Sequence, residues 1–538
     1  MVLWLSIGIL AALLVAVAVG ALLWRRIYHD DPANAARRAL KNGAVTFALR
    51  MVVRALDMVF FYVLLGTLPA TTISPYVVAA LLVSQYLGTF TEFGLGVLLT
   101  REVARDPSAA QRLFGITLAL RLLLVLCGAV PAALLVIGAY GLLGGLGLSE
   151  ALTSTGQAAI WVLLLTLVPA AYAGAVTALY NANERMEVPA LVEVVTGLLN
   201  FGARIAVILL GGAIIGLAWA AVAVSCCTAI IFWVLQRRDF FPPRLSWDGP
   251  QFRTLIPLAL PLMLNNLLSV IFFRFDLFII RAFGGAQAGL LVAQYSMPYT
   301  VLNIALVIPP AITFAVFPAL ARRAAGERGA LRVAQNRTLQ VLLLLAFPLA
   351  MGLTLLAPAL VLFFTRANVA EYGPSALVLA ILAWFLPLSF VNGLVQYVLI
   401  ALNQQRAITR AFLLGAAFNL IANLACMPLA SYWLGRPELG LYAASAITIA
   451  SEVVLLAVFW PLLRAAELAP PLLSLAWRPA LAALAMGAAM LLPLSVLGGW
   501  GGTLGAIAIA PLVYAATLWG LGAFGADERA LAMRILGR

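Results

Sequence analysis

Runs of about twenty apolar residues recur along this 538-residue chain, separated by short polar stretches. An α-helix rises ~1.5 Å per residue and a bilayer's hydrocarbon core is ~30 Å thick, so a run of that length reads as one membrane crossing. Such runs occupy approximately residues 2–24, 44–68, 75–99, 113–140, 157–180, 188–211, 214–236, 255–282, 288–320, 337–365, 375–402, 407–432, 440–463, 478–498 and 502–524. With 64% hydrophobic residues, 10% charged residues and a mean hydropathy of +1.07, no soluble domain is expected. The runs do not alternate polar with apolar, which excludes a membrane barrel. The expected fold is all-α and polytopic, with about 14–15 transmembrane helices.

A net charge of +13 raises the question of an anionic partner, and the positions of the basic residues answer it. Twenty-five of the 33 Lys and Arg residues fall in alternate loops, and the opposite loops carry only Arg281, Arg366 and Arg436. By the positive-inside rule the basic loops and the C-terminus are cytoplasmic, in a cytoplasmic (inner or plasma) membrane. The excess is an orientation signal, so no nucleic-acid partner is expected. The first run lacks a preceding positive charge and is followed by Arg25-Arg26, which favours an N-out anchor over a cleaved signal peptide and places the N-terminus outside. Cys127, Cys226, Cys227 and Cys426 all fall in spans, and His29 is the sole histidine. Neither a disulfide framework nor a metal or other cofactor is expected.

Five arginines remain inside spans: Arg50, Arg54, Arg121, Arg204 and Arg274. A charge near the bilayer centre costs roughly 2.5–3.5 kcal/mol on insertion scales, so such residues face a cavity or a partner. Arg50, Arg54 and Asp57 share a helix face at i, i+4 and i+7, and Arg54 and Asp57 can neutralise each other on that helix. Further stripes join Gln85, Thr89 and Glu92; Glu193, Asn200 and Arg204; and Asn265, Ser269 and Asp276. Guanidinium groups keep their charge when desolvated and bind phosphate oxygens in bidentate geometry, which makes the five arginines candidate ligands for an anionic cargo. Asp57, Asp276, Glu92 and Glu193 are candidates for ion coupling or for balancing the cavity charge. Glu452 reads more simply as a structural ion-pair member.

The polar pattern repeats. Arg54 and Arg274 are 220 residues apart, while Asp57 and Asp276, and Tyr76 and Tyr295, are each 219 apart. The segments opening at Leu179 and Ile400 both lead through Asn to Arg185 and Arg406. Each repeat holds six spans, an even number, so both halves share one orientation about an axis along the membrane normal. The expected organisation is an N-terminal anchor and basic linker (1–43), an N-lobe (44–240), a C-lobe (241–465), and a C-terminal helix pair with a tail (466–538).

Six plus six spans in like orientation resembles the multidrug/oligosaccharidyl-lipid/polysaccharide exporter superfamily. Glu92-Phe-Gly-Leu-Gly, Thr100-Arg-Glu-Val-Ala-Arg105, Asn183-Glu-Arg185 and Phe317-Pro-Ala-Leu-Ala-Arg322 are similar to phrases of its polysaccharide-transporter branch, the Wzx-like oligosaccharide flippases. The resemblance covers about residues 44 to 464; the added pair 478–498 and 502–524 gives the fourteen spans also found in lipid II flippases. It implies a non-enzymatic flippase that moves a polyprenyl-diphosphate-linked oligosaccharide across the membrane by alternating access. It also implies a lipid-linked glycan and the bilayer as partners, with a glycan polymerase or glycosyltransferases nearby and the chain itself a monomer. A lipid II flippase, a cation-coupled multidrug exporter and a membrane-embedded glycan polymerase or transferase are the alternatives. The short, acid-poor outer loops argue against the last.

Overall fold

The computed structural model describes residues 35–147, 151–324 and 328–523, and its architecture is helical throughout. We number the helices α1 (Ala35–Thr67), α2 (Ala70–Arg105), α3 (Pro107–Gly145), α4 (Ser154–Ala182), α5 (Glu187–Leu209), α6 (Ile214–Asp239) and α7 (Gly249–Arg274). They continue with α8 (Asp276–Phe283), α9 (Ala288–Ala305), α10 (Ile308–Ala324), α11 (Arg328–Thr365), α12 (Asn368–Leu382) and α13 (Phe385–Ala401). The last are α14 (Gln405–Trp433), α15 (Pro437–Ala465), α16 (Leu472–Val496) and α17 (Gly499–Gly520).

Twelve helices among the described residues are long and apolar enough to cross a membrane, or thirteen if α12 and α13, bent by 47°, form one span. Helix α1 stays outside that count because every stretch of it long enough to span includes several charges, Arg50 among them. The expected first span at 2–24 lies outside the described residues.

Several runs that read as single spans are broken. In α2, Phe93 and Gly94 are both left-handed, with φ of 53° and 70°. A Cβ on Gly94 would stand 2.5 Å from the Cβ of Leu262 on α7, so the residue must be glycine on both counts. Inside a bilayer a broken helix leaves backbone donors that no water can satisfy. Glu92 supplies the acceptors, taking the N–H of Gly94 at 2.8 Å and that of Gly96 at 2.7 Å. The run expected at 255–282 divides at Phe275 into α7 and α8.

The repeat recurs in the backbone. Glu184 and Asn403, 219 residues apart, both end a helix in the left-handed region, with φ of 57° and 60°. Their surroundings match bond for bond. Arg185 N–H donates to Tyr180 O and Gln404 N–H to Leu399 O; Glu184 N–H donates to Asn181 O and Asn403 N–H to Ile400 O. Helix α4 is interrupted at Leu165–Thr166, and 218 residues later α12 gives way to α13 at Ala383–Trp384.

Contacts divide the chain into two compact units. One holds the described residues up to Ser296 together with Met427–Pro437; the other holds Met297–Cys426 and the described residues from Glu438 onward. This packing boundary and the repeat boundary near residue 240 do not coincide, because α7 and α8 pack inside the first unit. Phe252, Leu255, Ala259 and Met263 of α7 bury against Phe93, Leu98, Ile116 and Leu120. Tyr86 meets Phe275 and Phe278 edge-on, and Tyr140 donates to Phe278 O at 3.2 Å. In the second unit, Met351 of α11 packs against Met486 and Met490 of α16, and Tyr514 of α17 donates to Leu344 O at 2.8 Å.

Candidate functional site

The intraspan charges fall into three groups. The first lies on α1 and α5. Asp57 Oδ2 is 3.7 Å from Arg54 Nη1, and Asp57 Oδ1 is 3.9 Å from Arg204 Nη1. These are ion pairs beyond hydrogen-bond reach. Arg204 lies over the Phe60 ring, its Cζ 4.9 Å from the centroid, and its buried Nε has no acceptor. Arg54 is 57% exposed and Asp57 37%, so this group is open to a ligand. Glu193, exposed on α5, stands within electrostatic reach of Asp57. Arg50 is on α1, but its side chain lies outside the described residues.

The second group is closed. Arg121 on α3 is 3% exposed and pairs with Glu92 Oε1 at 3.2 Å. Its Nη1 donates to Ala171 O on α4, also at 3.2 Å. Two glycines make room for it. A Cβ on Gly174 would fall 2.5 Å from Arg121 Nη1, and one on Gly96 would fall 2.7 Å from Glu92 Oε1 and 3.2 Å from Arg121 Nη2. Glu92 thus caps the break in α2, and Arg121 balances the cap.

The third group is Asp276, buried at the start of α8. Its Oδ2 accepts from the hydroxyl of Tyr295 on α9, and its Oδ1 accepts Leu277 N–H at 2.8 Å. Arg274, half-buried, ends α7 two residues earlier. The structure therefore joins Arg54, Asp57 and Arg204, and separately Glu92 and Arg121. Sequence reasoning put Glu92 on a polar stripe and Arg121 among the intraspan arginines without joining them, and used Tyr295 only as a repeat marker. It missed Phe60, Gly96 and Gly174. A glycine opposite an intraspan arginine is the signal that would have found the last two.

No group of three His, Cys, Asp or Glu residues among the described residues is arranged to hold a metal ion, and the four cysteines are free. What the open group can do is bind an anion. Two guanidiniums, neither hydrogen-bonded to its carboxylate, keep donor capacity facing an accessible surface.

Spans broken at repeated positions, with arginines inside them, define a multi-pass helical membrane protein, and its fold is that of solved members of the multidrug/oligosaccharidyl-lipid/polysaccharide superfamily. A lipid II flippase, MurJ, in an inward closed conformation superposes with a TM-score of 0.67 at 13% identity, covering 92% of this chain and 100% of that one. An inward-facing multidrug resistance MATE family transporter gives 0.62 at 16% identity, covering 78% and 95%. A transporter of the same superfamily from Pyrococcus furiosus, described by a reverse polarity of its binding pocket, gives 0.55 at 17% identity, covering 82% and 97%. No curated protein matches the chain by sequence. Residues 39–323 match the polysaccharide biosynthesis protein family, and the chain belongs to it.

Proposed function

We propose that this protein flips a polyprenyl-diphosphate-linked oligosaccharide from the cytoplasmic to the outer leaflet of the cytoplasmic membrane by alternating access. The observation that carries the reading is the open group on α1 and α5. Arg204 holds a buried Nε donor with no acceptor, and Arg54 beside it is mostly exposed. The Nη groups of both arginines hold Asp57 only at ion-pair distance, which leaves their donors for the oxygens of a diphosphate. Asp57, at 3.7 and 3.9 Å, is a loose counterion that an arriving diphosphate displaces. Membership of a polysaccharide biosynthesis family supports a glycan on the far side of that diphosphate. Cationic drugs would call for a carboxylate-rich cavity, and the five intraspan arginines, matched by five intraspan carboxylates, leave no carboxylate in excess.

Replacing Arg50 and Arg54 together, or Arg54 and Arg204 together, with Ala should abolish glycan export while leaving the amount of inserted protein unchanged. Lysine at the same positions should restore only part of the transport, because an ammonium cannot form the bidentate contact. Undiminished export in both double-alanine variants would remove the diphosphate role. Protection of cells against cationic dyes on expression would favour the multidrug reading instead.

A further inference from the structure

The Glu452 carboxyl takes no part in the groups described above, and its surroundings are unusual for a charge. It sits midway along α15, at 1% exposure. Asn392 on α13 donates from Nδ2 to Glu452 Oε2 at 2.6 Å and to the Glu452 carbonyl at 2.9 Å. Ser389, one turn earlier on α13, stands close enough to act on the same carboxyl. The neighbouring Ser451 accepts from Asn419 Nδ2 at 3.0 Å and donates to Ile447 O at 2.7 Å. Asn423 Nδ2 reaches Asn419 O and Oδ1 at 2.9 and 3.1 Å. Polar side chains from three helices thus meet inside the second unit.

No basic residue among the described ones pairs with Glu452, contrary to the structural ion pair expected there. Helix α13 carries no charged residue. The charges of α14 are Arg406 and Arg410 at its start, and those of α15 are Glu438 and Arg464 near its ends. Of the helices packed on α13, α10 has Arg322 and Arg323 at its end, α11 has Arg328, Arg332 and Arg337 at its start, and α12 has Glu371 and Tyr372 near its start. The other titratable side chains on these elements are Tyr397 of α13, Cys426 and Tyr432 of α14, and Tyr442 of α15. None of those described hydrogen-bonds to Glu452.

Two atoms of the Glu452–Asn392 pair are left without a partner, Glu452 Oε1 and Asn392 Oδ1, and both are acceptors. An isolated ionised carboxylate at this depth is costly. A hard metal ion needs about six oxygen ligands. The pair leaves only two acceptors unfilled, while Ser451 Oγ and Asn419 Oδ1 are already engaged. A single proton on Oε1 turns the carboxylate into a neutral acid, and the new O–H becomes a donor where the pair has only acceptors.

We propose that Glu452, paired with Asn392, is a proton-binding site of the second unit, loading and releasing one proton through Oε1. Resting on the flippase reading, that exchange is the step by which a proton gradient drives cargo movement.

Infrared spectroscopy of the purified full-length protein in lipid nanodiscs tests the site without cargo. The expected result is a protonated-carboxyl band that gives way to carboxylate between mildly acidic and mildly alkaline buffer. That band disappears in Glu452→Gln, which mimics the neutral form and keeps the fold, and shifts in Asn392→Leu. A titrating band that survives Glu452→Gln, a Glu452 band constant at every pH, or displacement by sodium at fixed pH would each overturn the proposal. Glycan export driven by an imposed pH gradient should be lost in Glu452→Gln. If the infrared result holds and no glycan moves in the unmodified protein, the proton site stands and the flippase reading fails.

Discussion

At the scale of single residues, arginine is instructive because it cannot shed its charge inside a protein, so the surroundings reveal its use. Arg121 has its two Nη groups engaged by a carboxylate and a carbonyl, although its Nε, like that of Arg204, has no acceptor. Arg204 is held over a ring, with a donor unfilled. The two should answer truncation oppositely. Arg121→Leu unpairs Glu92, which is 36% exposed and keeps its two backbone donors, and should destabilise by about 1–3 kcal/mol, below the full range for a buried pair. Arg204→Leu gives up a cation–π contact of about 0.5–1 kcal/mol and removes an unsatisfied donor that costs about 1–3 kcal/mol, so stability should hold or rise slightly. Thermal unfolding in detergent should show a clear drop in Tm for the first variant and none for the second. Equal drops would mean that Arg204 is structural as well.

At the scale of elements, the breaks carry information that hydropathy does not. A run of apolar residues reads as a straight span, and the glycines of Glu92-Phe-Gly-Leu-Gly look like tolerated interruptions. Only the structure shows that Gly94 is left-handed, pressed on α7 and capped by Glu92. Gly94→Ala combines a strained φ with a steric overlap and should destabilise by about 2 kcal/mol or more, again read as Tm. The linker before α7 offers a pH-dependent counterpart. Asp248 caps α7 through Gln251 N–H at 3.2 Å and pairs with Arg112 at 2.8 Å. The Arg112 hydrogen bond first, and then the capping N–H, hold its carboxyl below the usual range. A depressed folded-state value means that the stabilisation is complete above the unfolded-state value and fades as pH falls through the folded one. The Tm deficit of Asp248→Asn should therefore be present at neutral pH and vanish in strong acid. A deficit that persists there would assign it to packing.

At the scale of the whole molecule, what the sequence revealed and what it hid divide along a physical line. The helices and the 219-residue repeat were legible because burial in lipid demands long apolar runs, and duplicated polar residues stand out against them. The partition into two packed units was not legible, because side-chain contacts between α7 and the first repeat leave no periodic mark. The same holds for the site. Arg54 and Asp57 are close in sequence and readable as a pair, whereas Arg204 joins them only through the packing of α5 on α1. Orientation is the property for which the sequence alone makes a whole-chain statement, since basic residues crowd alternate loops from Arg101 to Arg478. It can be checked in a background with the four native cysteines replaced. A cysteine placed at the exposed Arg436 should react with a membrane-impermeant maleimide in intact cells. One placed at Arg112, Arg244 or Arg328 should react only after the membrane is opened. The reverse pattern would invert the topology and put the proposed proton and diphosphate sites in the opposite sense to the transport direction assigned to them.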